Sequence, residues 1–278
     1  MTLKQLFDAG TAALENANNP DAAFDARELL LFASDINATQ FLLSSHTEAS
    51  AALEKAYDEL IRRRVSGEPL QYIIGRWSFL GNEFNVGEGV LIPRPETEEL
   101  ADMCIQRIKK GGVKTVYDLC AGTGCIGISI AKACPQVTVY MFEKYESAAG
   151  YCRENTALNG VKNAVTVICD ITRGVPEGLP PAELIVSNPP YIPADELDGL
   201  QKEVHFEPST ALDGGKDGLD FCRVIASKWL ANADSPAFCA VECGEEQSED
   251  ICRLFSEYGK AYSVTDAYGV RRFVCADI

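Results

Sequence analysis

From residue 113 onward the sequence repeatedly sets a short apolar run against a helix-like segment, and few architectures satisfy that rhythm. The strand-like runs are "VKTVYDL" (113–119), "VTVYMF" (137–142), "AVTVICD" (164–170), "AELIVSN" (182–188) and "AFCAVEC" (237–243). Strands separated by helices cannot pair as hairpins, so this alternation predicts an α/β fold: a doubly wound, mostly parallel sheet with helices on both faces. The final stretch, "AYSVTDAYGVRRFVCADI" (261–278), has two short runs around a Tyr-Gly and reads as a closing hairpin. No internal repeat or low-complexity segment interrupts the pattern.

The first 65 or so residues have a different period. Leu3, Leu6, Phe7, Ala13 and Leu14 recur at helical spacing with Gly10 on the same face, and Leu53, Tyr57, Leu60 and Ile61 do so again before "RRR". "NNPD" (18–21) provides a stop, a proline and an acidic first turn for a second helix running into "ARELLLFA". Between the two patterns, "GEPLQYIIGRWSFLGNEFNVGEGVLIPRP" (67–95) turns aromatic and β-branched around a Gly-Asn, which suits a hairpin. The expected organisation is a small all-helical domain over 1–70, a β-hairpin linker over 71–95 and the α/β domain over 96–278.

Composition narrows the function classes. No apolar run approaches the roughly 20 residues of a membrane span, and "MTLKQLFDAG" lacks the basic and apolar regions of a signal peptide. A soluble, cytoplasmic protein that does not enter a membrane is the expectation. Eleven cysteines, an odd number with no C-x-x-C pair, argue against a disulfide framework or a zinc site, and only His46 and His205 could add to a metal cluster. Buried reduced thiols are expected instead. Formal net charge is −16; residues 1–76 hold 7 Lys/Arg against 11 Asp/Glu, so neither part is a basic nucleic-acid arm. A protein or small-molecule substrate, with no direct nucleic-acid contact, is favoured.

The chemistry-bearing residues fall at strand ends. "VYDLCAGTGCIGISIA" puts Asp118 at the end of the first α/β strand, with Gly122, Gly124 and Gly127 opening the next helix. In open α/β sheets ligands bind at the carboxyl ends of strands, where glycines admit close approach. The spacing also satisfies G-x-G-x-x-G, so a dinucleotide remains an alternative ligand. Glu143 ends the second strand, where a carboxylate can accept both hydroxyls of a ribose. Asp170 ends the third, where an acceptor can meet an adenine amino group. The fourth delivers "NPPY", Asn188 to Tyr191, to the same edge. Asn188 offers a side-chain carbonyl and Pro189 a backbone carbonyl held by the fixed φ of two prolines, Pro189 and Pro190. Two rigid acceptors facing one small site suit an NH2 group, with Tyr191 as a flat wall. Hydride transfer requires no such clamp.

These motifs resemble those of class I S-adenosylmethionine-dependent methyltransferases acting on planar amino groups. "GEPLQYIIG" (67–75), "LIPRPETE" (91–98), "NPPYIP" (188–193) and "FEPSTALDGG" (206–215) further resemble the HemK/PrmC family, protein-(glutamine-N5) methyltransferases of peptide chain release factors. The resemblance implies a Rossmann-like methyltransferase sheet and a helical domain that recognises class I release factors. It implies S-adenosylmethionine as methyl donor, held by Asp118, Cys120, Ala121, Gly122, Thr123, Gly124, Glu143, Asp170, Ile171 and Asn188. A glutamine is implied at Asn188, Pro189, Pro190 and Tyr191 with Arg94 as a further substrate contact, its side-chain nitrogen displacing S-adenosylhomocysteine in a direct transfer. "NPPY" is shared with DNA adenine and RNA guanine methylases, whereas "LIPRPETE" is more specific and diverges after Pro-Arg in the sister enzymes that modify a ribosomal protein. Three positions depart from the pattern: Cys120 and Ala121 stand where the family usually has Gly-Thr, and Glu143 replaces the commoner aspartate.

Overall fold

The computed structural model describes residues 1–231 and 238–278. Two compact units are present: Met1–Gly75 with Gln201–Phe206, and Arg76–Leu200 with Glu207–Ile278. Among the described residues no helix is long and apolar enough to cross a membrane.

The first unit is built from α1 (Leu3–Asn16), α2 (Ala22–Ser34), α3 (Ala38–Ser44), α4 (Ala51–Val65) and α5 (Leu70–Ile74). Thr2 and Gln5 form a reciprocal capping box that starts α1, satisfying backbone donors that a helix start leaves unpaired. The helical face read from sequence is the buried one: Leu3, Leu6, Gly10 and Leu14 point inward, opposite Tyr57 and Ile61 of α4. Gly10 is required there, since a Cβ would lie 2.0 Å from the Tyr57 hydroxyl oxygen. That hydroxyl donates instead to the Ala26 carbonyl at 3.0 Å. Residues 70–74, placed by sequence across the start of the hairpin segment, are helical and end at Gly75 in a left-handed conformation.

The second unit opens with the hairpin β1 (Arg76–Phe79) and β2 (Asn82–Asn85). Its two-residue turn is Leu80-Gly81, both at positive φ, rather than Gly81-Asn82. That geometry matches the right-handed twist of paired strands. There follow α6 (Pro95–Lys109), β3 (Thr115–Leu119), α7 (Cys125–Ala133), β4 (Thr138–Glu143), α8 (Glu146–Leu158), β5 (Ala164–Ile168) and β6 (Leu184–Ser187). The chain continues through α9 (Asp220–Val224), π-helical turns (Ile225–Leu230), β7 (Phe238–Glu242), α10 (Ser248–Phe255), β8 (Lys260–Thr265) and β9 (Arg271–Asp277). The first residue of the 237–243 run lies outside the described residues.

The seven-stranded sheet has the order β5-β4-β3-β6-β7-β9-β8, parallel throughout β5 to β7, with β9 antiparallel to both its neighbours. Successive residues of a strand serve opposite faces. Val116, Val139, Met141 and Ala240 pack with α6 and α7, while Tyr117, Phe142, Cys239 and Val241 pack with Trp229, Ile251 and Phe255. The sheet is therefore covered on both sides, as the alternation predicts. Chain direction across the sheet reverses between β3 and β6, which opens a crevice at their carboxyl ends, the general ligand position in this architecture.

Candidate active site at the β3 and β6 strand ends

The loop leaving β3 turns sharply enough to need three left-handed residues: Cys120 (φ 60°), Gly122 (φ 55°) and Gly124 (φ 79°). Cys120 adopts a conformation that a glycine would take without steric cost. Ala121 donates to the Phe142 carbonyl at 3.0 Å, and the Gly124 amide closes the turn onto the Ala121 carbonyl at 2.7 Å. Asp118 lies under this loop: its Oδ2 accepts the Gly127 amide at 2.9 Å, and its buried Oδ1 has no hydrogen-bond partner among the described residues. Burial lifts the Asp118 carboxyl from the ordinary range to about 7, with the neighbouring Glu143 adding to the shift.

Glu143, at the end of β4, is buried and grips the loop from the other side. Its Oε2 accepts the Gly122 amide at 3.0 Å and its Oε1 the Tyr145 amide at 2.9 Å, which leaves each oxygen a second lone pair. Asp170 follows β5. Its Oδ1 accepts from the Thr172 hydroxyl at 2.7 Å and the Thr172 amide at 3.0 Å, and Lys144 lies 3.0 Å from its Oδ2. The Thr172 hydroxyl, with Lys144 behind it, holds the Asp170 carboxyl down at about 2.

Asn188 follows β6 directly. Its Nδ2 donates to Thr97 Oγ1 at 3.1 Å, while its buried Oδ1 has no hydrogen-bond partner among the described residues. The Tyr191 hydroxyl points at Glu242 Oε1, 3.4 Å away, rather than into open space.

One cavity in the second unit draws its walls from all of these strand ends. Cys120, Gly122, Glu143, Asp170, Ile171, Asn188 and Pro190 line it, joined by the apolar Val90, Leu91 and Phe221 and by Pro208, Thr210 and Ala211 of the "FEPSTALDGG" segment. The other residues singled out from sequence are not among its lining residues. Asp118, Ala121, Thr123 and Gly124 shape the loop, Pro189 is buried, Tyr191 is turned to Glu242, and Arg94 is ion-paired with Glu207. Glu207 also accepts the Ile92 amide at 2.9 Å, so it pins the "LIPRPETE" segment at two points.

Three buried polar residues near the site were not anticipated. Thr97 donates to Glu242 Oε2 at 2.7 Å, and Asn155 of α8 donates to the Thr123 carbonyl at 3.0 Å and the Asn85 carbonyl at 3.1 Å. Glu242, like Glu143, is an acid ending an apolar strand run, a signal the sequence carried. Nothing local distinguishes Asn155 in "RENTALNG".

A pocket bounded by acids, a glycine loop and Asn-Pro-Pro at the switch point of a parallel sheet is the arrangement expected of a nucleoside-bearing ligand. Comparison with known proteins agrees. Residues 5–75 match the PrmC N-terminal domain model, and residues 97–204 the methyltransferase small domain model. The fold is similar to that of a T. thermophilus 16S rRNA methyltransferase solved with AdoMet and guanosine, at a TM-score of 0.51 and 16% identity. That alignment covers 73% of this chain and 49% of the other, so the chain spans about half the length of that protein. Among curated relatives, the release factor glutamine methyltransferase of Thermodesulfovibrio yellowstonii is 36% identical over 89% of this chain and 90% of its own length. That of Koribacter versatilis is 32% identical over 99% and 98%. The chain belongs to the release factor glutamine methyltransferase family.

Proposed function

We propose that this protein transfers a methyl group from S-adenosylmethionine to the side-chain amide nitrogen of a glutamine in peptide chain release factors. The observation that carries the reading is Asn188 Oδ1, a buried acceptor without a partner among the described residues, on a residue that lines the cavity. A buried unpaired carbonyl is costly. An incoming amide N-H satisfies it.

The residues present fit the methyl donor. Glu143 retains lone pairs for ribose hydroxyls, Ile171 and Phe221 offer apolar wall to a flat base, and Gly122 leaves open space where a side chain would stand. Asp118 Oδ1, without a partner among the described residues, suits an ammonium group. When bound, the donor supplies an electrophilic methyl on sulfonium. Everything else falls to the chain. Amide nitrogen is a poor nucleophile because its lone pair is delocalised into the carbonyl. Acceptors such as Asn188 Oδ1 orient the NH2 group and stabilise the positive charge that grows on nitrogen. No general base is needed before attack. We assign the helical unit recognition of the release factor and the cytoplasm as the site of the reaction.

Incubation with labelled S-adenosylmethionine and separate release factor, DNA and RNA acceptors, followed by mass mapping, tests the reading. Label on one glutamine side chain of the release factor is expected. Label on nucleic acid alone would overturn it. Asn188→Ala should slow single-turnover transfer by roughly 100 to 1000-fold, the range for losing one preorganised transition-state hydrogen bond.

A further inference from the structure

The Asn188 amide has two orientations of nearly equal shape, and only the one with its oxygen toward the substrate can accept an N-H. Something must choose between them. Nδ2 rests on Thr97 Oγ1 at 3.1 Å, and Thr97 Oγ1 lies 2.7 Å from Glu242 Oε2. Thr97 and Glu242 are each only 2% exposed, so water does not compete for these groups.

We propose, building on the function assigned above, that Thr97 and Glu242 are positioning residues: they dictate the rotation of the Asn188 amide and so turn its oxygen to the substrate. A hydroxyl has one proton and two lone pairs. Ionised Glu242 can only accept, so it takes the Thr97 proton. Thr97 Oγ1 is then an acceptor toward Asn188, which must present its NH2 there and its oxygen on the opposite side. The same carboxylate lies 3.4 Å from the Tyr191 hydroxyl, so one acid on β7 holds both ends of the Asn-Pro-Pro-Tyr turn.

The relay reverses when Glu242 gains a proton. A neutral carboxyl can donate to Thr97, which frees the Thr97 proton for Asn188 Oδ1 and favours the flipped amide. That rotamer offers an NH2 group to an NH2 substrate. Burial raises the Glu242 carboxyl to about 7, against the opposing effect of the Thr97 hydrogen bond and of Arg272. The charged and titratable groups facing it are Glu96 from α6, Tyr191 after β6, Arg272 from β9, Cys125 at the start of α7 and Cys243 just past the end of its own strand.

The test compares Thr97→Val, Thr97→Ser and Glu242→Gln with the full-length protein in single-turnover transfer to release factor. Thr97→Val should slow transfer about 10 to 100-fold at saturating acceptor, with KM and S-adenosylhomocysteine affinity within about threefold, while Thr97→Ser stays within about threefold of wild type. The wild-type rate should rise with pH through about 7. At saturating S-adenosylmethionine, Glu242→Gln should give a lower rate with a smaller rise through that range. Equal losses in Thr97→Val and Thr97→Ser would mean the side chain is only packing, and a wild-type rate in Thr97→Val would likewise overturn the proposal. Side-chain amide NMR of Asn188 in the cofactor-free protein gives a readout independent of substrate and of any variant's folding. Its signals should titrate together with the Glu242 carboxyl carbon, and signals constant across that titration overturn the proposal. Failure of the wild type to methylate any release factor would sink the functional reading instead, with the NMR result still deciding the relay.

Discussion

At the scale of single residues, the site stores strain and buried charge. Cys120 sits at φ 60°, where a side chain costs about 1 to 2 kcal/mol that glycine avoids. Cys120→Gly is expected to raise stability by about 1 kcal/mol after glycine's own entropic cost, visible as a thermal midpoint a few degrees higher. Asp118 makes the opposite kind of demand. Its carboxyl stands at about 7 folded against 3.8 unfolded, so between those values the native state holds a proton that the unfolded chain has released. Stability contributed at low pH is thus lost as pH rises from about 4 to about 7, and levels off above. Asp118→Asn removes this dependence. Urea midpoints at pH 5 and pH 8 should differ less in the variant than in wild type, by the equivalent of roughly 2 to 4 kcal/mol. An unchanged difference would show that the Asp118 proton is not linked to folding. Glu242 acts in the same direction in both proteins, since its folded carboxyl is also raised.

At the scale of elements, the decisive contact is α7 against β4. A Cβ on Gly127 would lie 2.6 Å from Met141 Cγ and 2.8 Å from Asp118 Oδ2, so this glycine permits the helix to start tight on the sheet. Gly150 lies mid-helix in α8 with nothing within 4 Å of a Cβ. The same substitution should therefore have opposite signs in two neighbouring helices. Gly150→Ala stabilises by about 0.4 to 1 kcal/mol through helix propensity and lost unfolded-state freedom. Gly127→Ala destabilises by about 1 to 3 kcal/mol through overpacking and weakens S-adenosylmethionine binding, because the displaced helix start carries the loop with it. Denaturant titration and calorimetry of both variants check the pair. The glycine pattern 122, 124, 127 was legible in the sequence, but its meaning was mixed: the first two bend the backbone, and the third makes room.

At the scale of the whole molecule, the chain returns once to its helical unit. Gln201–Phe206 groups with residues 1–75, although residues on both sides of it, Pro190 and Pro208, line the cavity of the second unit. The anchor is Arg64, whose side chain is 5% exposed. It bonds to Asp25 Oδ2 at 2.6 Å and pairs with Glu203. Arg64→Met takes the guanidinium away from Asp25, only 4% exposed, which keeps the Asn19 amide at 2.7 Å, and should cost about 3 to 5 kcal/mol. Glu203→Gln, losing a partner that is 40% exposed, should cost about 1 kcal/mol or less. Hydrogen exchange is the discriminating measurement: the Val204 and Phe206 amides, bonded to the Gln201 and Glu203 carbonyls, should lose protection in Arg64→Met. Unaltered exchange there would mean that the segment is held by something other than Arg64.

The alternation of apolar runs and helices was enough to specify the doubly wound sheet, because strand and helix periods are local properties and parallel strands need a crossover between them. The same locality placed Glu143, Asp170 and Asn188 at strand ends and so predicted that they converge. What remained for the tertiary structure were relations between distant residues. That Glu203 belongs with Arg64 depends on a 139-residue separation closing. That Tyr191 faces Glu242 and Arg94 faces Glu207 depends on which buried charge each polar group could reach. The orientation of Asn188 was likewise invisible in "NPPY", since a side-chain amide presents either its oxygen or its nitrogen with little change of shape. Thr97 and Glu242, 145 residues apart in the chain, decide it only once folding has removed water from between them.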